Sequence, residues 1–197
     1  MAVYDKVRQL TVARLLDEAE RASEIFDIFL AGPYIKPDLP PEDEVNVKSI
    51  ASILRYYLYH KLSEWGHNIY LGEDYALREA GVSHYGTSNN AVLYERHYIS
   101  KHIDAVIVLP SSPGSFCEIG DWVSDRDICS DMLIVVEGIH EGVANYINDG
   151  IVKFARSNHA TVHYHAYSDQ DGVLNLCAVF INEVAQRLRI ERLYGRK

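Results

Sequence analysis

The sequence predicts an α/β protein, in which one domain (residues 1–197) has a single doubly wound, mostly parallel five-stranded sheet in the flavodoxin-like order 2-1-3-4-5. Short apolar runs of strand length alternate with amphipathic segments of helical periodicity along the chain. No repeat, low-complexity tract or linker divides it. Strands joined through helices run parallel, and right-handed crossovers leave few possible topologies.

The predicted strands are short apolar segments that begin or end beside glycine, proline or a charged residue. "IFDIFLAG" ends in glycine, "DAVIVLP" ends in proline, and "DMLIVVEG" is the most continuous apolar run. The predicted strands are residues 25–32, 67–72, 103–110, 131–138 and 160–167.

The predicted helices carry apolar side chains three and four residues apart. The helix that starts at Val47 is the clearest and ends at Gly66, while Ser88 or Asn89 is a candidate N-cap for a later one. The apolar face of the helix that starts at Val47 comprises Val47, Ile50, Leu54, Tyr57, Leu58, Leu62 and Trp65. The predicted helices are residues 4–23, 47–65, 73–81, 88–102, 115–127, 142–157 and 172–194.

The predicted strand order places a binding crevice between the first and third strands. In an open α/β sheet, ligands bind at the carboxyl ends of the strands, where crossovers leave to opposite faces. The loops at that point are "AGPYI" and "SSPGSF", which are rich in glycine, proline and small hydroxyl residues. The sequence therefore predicts a pocket bounded by these two loops.

Composition excludes some classes of function. The formal net charge of −9 argues against a protein that binds long nucleic acids through a basic face. The three cysteines have no paired spacing, so neither a disulfide framework nor a zinc site is predicted. No apolar run approaches the length of a membrane span, and no signal peptide is recognisable. We expect a cytoplasmic protein without a membrane partner.

The segment "SSPGSFCEIG" supports two interpretations of Glu118. Pro113 and Gly114 permit a sharp turn, and Ser115 is a natural N-cap with Glu118 three residues later, which is the spacing of a capping box. Alternatively, Glu118 is an ionised carboxylate at the mouth of the crevice, suited to attack a sugar carbon. The small residues Ser111, Ser112, Gly114 and Ser115 leave room there for a ribose.

Beyond these local features, the chain resembles the nucleoside 2-deoxyribosyltransferase-like superfamily. The resemblance rests on "FLAGPY" after the first strand and on "DAVIVLPSSPGSFCEIG" at the third, and it covers roughly residues 25 to 136. That group includes N-glycosidases of deoxynucleoside monophosphates and bacterial defence effectors. The resemblance implies an enzyme that cleaves or transfers the N-glycosidic bond of a small nucleoside or nucleotide, with neither organic cofactor nor metal.

The resemblance also implies roles for individual residues. Glu118 matches the nucleophilic glutamate, and Tyr34 matches the aromatic residue that orients it. The acid that faces the base matches less well: Glu95 is the carboxylate in that turn, whereas the closest register gives Arg96 or His97. Gly32, Pro33, Asn90, Ser111, Ser112, Gly114 and Ser115 are the expected substrate-binding residues. Such proteins often share active sites between subunits, so we expect a homo-oligomer, and a larger defence complex is a further candidate partner.

Two rival functions use the same pocket. With NAD as substrate, the same attack would release nicotinamide and deplete the cofactor of a cell. Alternatively, the pocket holds a nucleotide without turnover, as in a sensor or assembly module.

Several polar residues receive other interpretations. Glu73 and Asp74 are expected in a solvated turn, with pocket lining as the alternative, and Asn90 could cap a helix or reach a sugar. His163 and His165 share a strand face without an evident third metal ligand. Cys117 is expected to be buried and unreactive.

Overall fold

The fold is known from a computed structural model, which describes residues 25–86 and 90–193. Five parallel strands form one sheet in the order β2-β1-β3-β4-β5. The strands are β1 (Asp27–Ala31), β2 (Asn68–Tyr70), β3 (Ala105–Val108), β4 (Met132–Glu137) and β5 (Thr161–His165). The predicted α/β class and strand order are confirmed, and the described part of the sheet is parallel throughout.

Helices connect successive strands and cover both faces of the sheet. They are α1 (Ile50–Glu64), α2 (Tyr75–Tyr85), α3 (Ala91–His102), α4 (Pro113–Trp122), α5 (Arg126–Ser130), α6 (Lys153–Ser157) and α7 (Gln170–Leu193). A 3-10 turn (Gly138–His140) follows β4, and a π-helical turn (Ile147–Val152) precedes α6.

Alternate side chains of each central strand enter two separate cores. Ile28 and Leu30 of β1 pack with α1 and α7 on one face, whereas Phe29 packs with α3 and α4 on the other. In the second core the rings of Phe29 and Trp122 meet edge to face, with 5.7 Å between their centroids. The crossovers thus leave β1 and β3 toward opposite faces, which opens a crevice at the carboxyl ends of these strands.

Helix boundaries differ from the sequence prediction where local signals compete. The N-cap of α3 is Asn90, whose side chain accepts from the Leu93 amide, rather than Ser88 or Asn89, which lie outside the described residues. The helix predicted over 115–127 divides into α4 and α5, and Asp125 caps the second of these. The segment predicted as a helix from residue 142 becomes helical at Ile147. The helix predicted over 4–23 lies outside the described residues.

The buried face of α1 is rotated relative to the predicted apolar face. Ile50 and Trp65, both expected in the core, are about half exposed, with Val47 exposed just before the helix. α1 buries the predicted Leu54, Leu58 and Leu62, together with Ala51, Ser52 and Arg55, which were not predicted. This rotation brings an arginine into the interior at the level of the crevice.

None of the described helices combines the length and the apolar character that crossing a membrane would require.

Candidate functional site

A cavity of about 270 Å³ lies at the point where β1 and β3 diverge. We call it the inner cavity, and it takes residues from the loops after β1 and β2 and from α1, α3 and α4. Its lining residues are Phe29, Ala31, Gly32, Tyr34, Arg55, Gly72, Glu73, Glu95, Ser112, Gly114, Ser115 and Glu118. The structure therefore brings the three predicted catalytic residues, Tyr34, Glu95 and Glu118, to one place.

Helix α4 begins earlier than the sequence interpretation placed it. Ser112 is the N-cap, Pro113 occupies the first turn, and the capping box is closed by Ser115. The Ser112 hydroxyl accepts from the Ser115 amide at 3.2 Å, and the Ser115 hydroxyl accepts from the Ser112 amide at 3.0 Å. The expectation that Ser115 caps the helix and Glu118 completes the box was therefore wrong.

The shift of the cap leaves Glu118 available to the cavity. The residue lies in the second turn of α4, half-buried, and within the described part of the chain no group donates a hydrogen bond to its carboxylate. Burial raises the pKa of Glu118 above its ordinary value, while the charge of Arg55 opposes that rise. Partial removal from water makes an ionised carboxylate more nucleophilic, because its charge is less well solvated.

Glu95 is the most perturbed carboxyl group at the site. It is only 4% exposed on α3. Burial, together with the negative charges of Glu118 and Glu73, raises its pKa to about 8. Glu95 is therefore protonated at neutral pH and can donate a proton. Gly72 permits this position, because a Cβ on residue 72 would lie 2.5 Å from Glu95 Oε1.

An ion pair between Arg55 and Glu73 joins the inner walls of the cavity. Arg55 Nη1 lies 2.7 Å from Glu73 Oε1, and Arg55 Nη2 lies 3.0 Å from Glu73 Oε2. The expected solvated turn at Glu73 was wrong for this residue, since its carboxylate is engaged and lines the cavity. Sequence reasoning missed Arg55, although its spacing of four from Ala51 and three from Leu58 places it on the buried stripe of α1.

A wider cavity of about 1080 Å³ adjoins the inner one. We call it the outer cavity, and it shares Tyr34, Gly72 and Glu73 with the inner cavity. Its other lining residues are Tyr75, Arg78, Glu79, Val82, Ser83, Asn90, Ala91 and Tyr94. Tyr34 is 53% exposed at the junction and has no hydrogen bond to Glu118 in the described structure. Asn90 serves both predicted purposes, because it caps α3 and lines this cavity.

Some predicted residues lie outside both cavities. Ser111 is exposed and does not line them, whereas Pro33 contributes its carbonyl oxygen to Arg55 Nη1 at 2.8 Å. Arg96, one alternative to Glu95, forms ion pairs with Asp121 and Asp125 at 3.1 Å each. His97, the other alternative, stacks on His84 with 4.5 Å between ring centroids. Of the aligned candidates, the carboxylate is thus the one that reaches the inner cavity.

The remaining polar candidates are accounted for elsewhere in the fold. His165 Nε2 lies 2.7 Å from Asp169 Oδ2, while His163 is exposed, and the described residues contain no cluster of three or more metal-binding side chains. Cys117 is exposed, which corrects the expected burial. Asp104 is structural, as its Oδ2 accepts from the Asp27 amide at 3.0 Å.

Comparison with known proteins identifies the family. A family model described as "STM3845 retron effector protein" matches residues 51–195. The chain belongs to this retron effector family. Membership indicates an effector of a defence system. This agrees with the presence of bacterial defence effectors in the superfamily that the sequence resembles. The matched region includes Arg55, Glu73, Glu95 and Glu118. A search of curated proteins finds no match.

Proposed function

We propose that this retron effector cleaves or transfers the N-glycosidic bond of a nucleoside or nucleotide, with Glu118 as nucleophile and Glu95 as general acid. The observation that carries the proposal is the meeting of two unlike carboxyl groups in one cavity. Glu95 is protonated at neutral pH, with a pKa of about 8. Pairs of carboxyl groups with separated pKa values are the usual basis for assigning acid and nucleophile.

The chemistry would proceed through two displacements. A Glu118 oxygen attacks C1′ of the sugar through an oxocarbenium-like state, the C1′–N bond breaks, and the Glu95 proton passes to the departing base. Water then attacks C1′, returns a proton to Glu95 and releases Glu118, so configuration at C1′ is retained. In a transferase, a second base takes the place of water. These steps need neither a metal nor an organic cofactor.

The outer cavity favours a second candidate substrate. A mononucleoside fills a volume similar to that of the inner cavity, whereas the adjoining 1080 Å³ could hold a second nucleotide. NAD would then release nicotinamide by the same attack. Arg78, which lines the outer cavity, is a cation available to a phosphate there.

The decisive experiment is incubation of the protein with a mixture of nucleosides, nucleotides and NAD, followed by mass spectrometry of the released bases. The released base, together with the nucleoside or nucleotide whose peak decreases, identifies the substrate. Binding of a nucleotide without any released base would favour the sensor function instead.

Glu118→Gln is the matched control for that experiment. We expect activity to fall by about 10³-fold or more, because an amide neither attacks C1′ nor stabilises a cationic sugar. Since the capping box of α4 does not use Glu118, both Glu118→Gln and Glu118→Ala should change the free energy of unfolding by roughly 1 kcal/mol or less. Wild-type turnover in a folded Glu118→Gln variant would refute the assignment.

A further inference from the structure

We propose that Arg55 is the positioning residue of the inner cavity. Its guanidinium holds the loops after β1 and β2 in place, and its positive charge attracts the carboxyl groups of Glu73, Glu95 and Glu118. This inference rests on the proposed function, in which Glu118 attacks and Glu95 donates. Arg55 is the basic side chain among the described residues that line the inner cavity. It is 1% exposed, so water contributes little to its solvation.

The hydrogen bonds of Arg55 tie together the loops that follow β1 and β2. Toward β1, Nε donates to the Leu30 carbonyl at 3.1 Å and Nη2 donates to the same oxygen at 2.6 Å. Nη1 donates to the Pro33 carbonyl at 2.8 Å, next to Tyr34. Toward β2, the fork pairs with both Glu73 oxygens. Lysine could not repeat this pattern, because an ammonium has three donors and no planar fork.

Glu73 extends the arrangement further along the loop that follows β1. Its Oε1 accepts from the Ile35 amide at 3.2 Å as well as from Arg55. Tyr34 therefore sits between two anchored residues, Pro33 and Ile35. Gly32 completes the packing, since a Cβ there would lie 3.1 Å from Arg55 Cδ. The guanidinium thus binds Pro33 directly, whereas Ile35 is bound by the Glu73 carboxylate with which the guanidinium pairs.

The charges around Arg55 are unequal in number. Glu73 and Asp74 face it from the loop after β2, Glu95 from α3 and Glu118 from α4. Burial, together with the negative charges of Glu95 and Glu118, raises the pKa of the Tyr94 hydroxyl to about 12. Arg55 opposes the rise in pKa of both Glu95 and Glu118, whereas Glu73 adds to it. The ion pair therefore sets the pH range in which Glu118 is ionised while Glu95 is protonated.

The test compares pH–rate profiles of three variants. In Arg55→Met, loss of the positive charge should move both limbs of the profile to higher pH and lower kcat by about 10²-fold. In Glu73→Gln, loss of a negative charge should move both limbs to lower pH. Arg55→Lys keeps the charge but not the fork, so its limbs should stay in place while kcat falls about tenfold or more.

Arg96→Met is the control, because it removes an arginine paired with two carboxylates outside the cavity. Its limbs should stay at the wild-type pH. The proposal would be overturned if Arg55→Met and Glu73→Gln lowered the rate without shifting the limbs of the pH–rate profile in opposite directions. Wild-type kcat in Arg55→Lys would also overturn it. If Arg55→Met fails to fold, the other two variants decide.

A second readout separates this proposal from the proposed function. Glutamate labelled with ¹³C at the side-chain carboxyl carbon allows the titration of Glu95 and Glu118 to be followed by NMR without substrate. The two resonances are assigned by their absence from the spectra of Glu95→Gln and Glu118→Gln. Absence of any base release by the wild type would refute the proposed function alone. Unchanged titrations in Glu73→Gln and Arg55→Met would refute the role of Arg55, whatever the activity.

Discussion

Glu95 and Glu118 carry the same side chain, yet α3 buries the first almost completely while α4 leaves the second half-buried at the cavity. Desolvation disfavours the ionised form of both, and the remaining difference comes from neighbours. Because Glu118 and Glu73 repel an ionised Glu95, Glu95 should take up a proton before Glu118 does as the pH falls. The surroundings thus give the two carboxyl groups unequal proton affinities, which the proposed roles of acid and nucleophile require.

This difference predicts a specific pH dependence. Activity should decline above about pH 8, the pKa of Glu95, as the donor loses its proton. Glu95→Gln should lower kcat by about 10²-fold or more and remove that alkaline limb, which pH–rate profiles of the two proteins would show. If the alkaline limb persists in Glu95→Gln, the limb reports the titration of another group.

The same shift predicts an effect on stability. The pKa of Glu95 is raised from 4.5 to about 8 on folding, so the folded state holds the extra proton between these values. The stability of the wild type relative to Glu95→Gln should therefore fall as pH rises from about 4.5 to 8, by a few kcal/mol in total. Urea denaturation of both proteins across that pH range measures the difference in their free energies of unfolding. A difference that does not change with pH would contradict the prediction.

A glycine beside Glu95 offers a steric test of its position. Gly72→Ala places a methyl group 2.5 Å from Glu95 Oε1, so the carboxyl must move, and we expect kcat to fall about tenfold or more. Gly120→Ala on the exposed side of α4 meets nothing within 4 Å and should stabilise the helix by about 0.5–1 kcal/mol without loss of activity. Equal activities of the two variants would show that the carboxyl position is unimportant.

Residue-level prediction from the sequence located a residue of the inner cavity where a motif was local, and it missed one whose partner is remote in the chain. Glu118 could be chosen from its ten-residue motif. Arg55 could not, because its partner Glu73 lies 18 residues away and only the folded crossovers bring them together. A charged residue on the apolar stripe of α1 was the available signal, and it indicates a buried pair without naming the partner.

At the scale of single elements, α4 depends on a cap built from two serines. Ser112→Ala removes the N-cap acceptor and should lower the free energy of unfolding by about 1 kcal/mol. Ser111→Ala is the matched control, because the Ser111 hydroxyl makes no hydrogen bond in the described structure and the residue is exposed. Denaturant titration of both variants distinguishes them, and equal stabilities would contradict the assigned cap.

The sequence predicted the strands better than the helix starts, for a physical reason. A buried strand is marked by every residue in it, as in β4, whose first five residues are buried. A helix start is marked by one or two polar residues, and both Ser112 and Ser115 satisfy that rule. Proline favours the first helical turn, so Pro113 was the signal that distinguished them.

At the scale of the whole molecule, the apolar surface around the outer cavity supports the expectation of a homo-oligomer. Tyr75 and Val82 of α2 are 74% and 58% exposed, and Val92 and Leu93 of α3 are also exposed. We expect light scattering at micromolar concentration to give at least twice the chain mass of 22.4 kDa. Val82→Glu should lower that mass, whereas Val179→Glu on α7 should not. A 22.4 kDa particle for the wild type would contradict this expectation.

The parallel sheet also determines when, during folding, the cavity can first exist. The β1–β3 junction is closed by Asp27 and Asp104, which are 77 positions apart in the chain. Parallel strands cannot pair through a short hairpin, and contacts between distant segments form slowly because a long loop must close first. The inner cavity lies at the carboxyl ends of the same two strands, so it requires that β1 and β3 have paired. A chain that has left the ribosome only as far as α3, or a fragment that ends before β3, therefore contains Tyr34, Arg55 and Glu95. Such a chain cannot yet bring these residues together in the cavity.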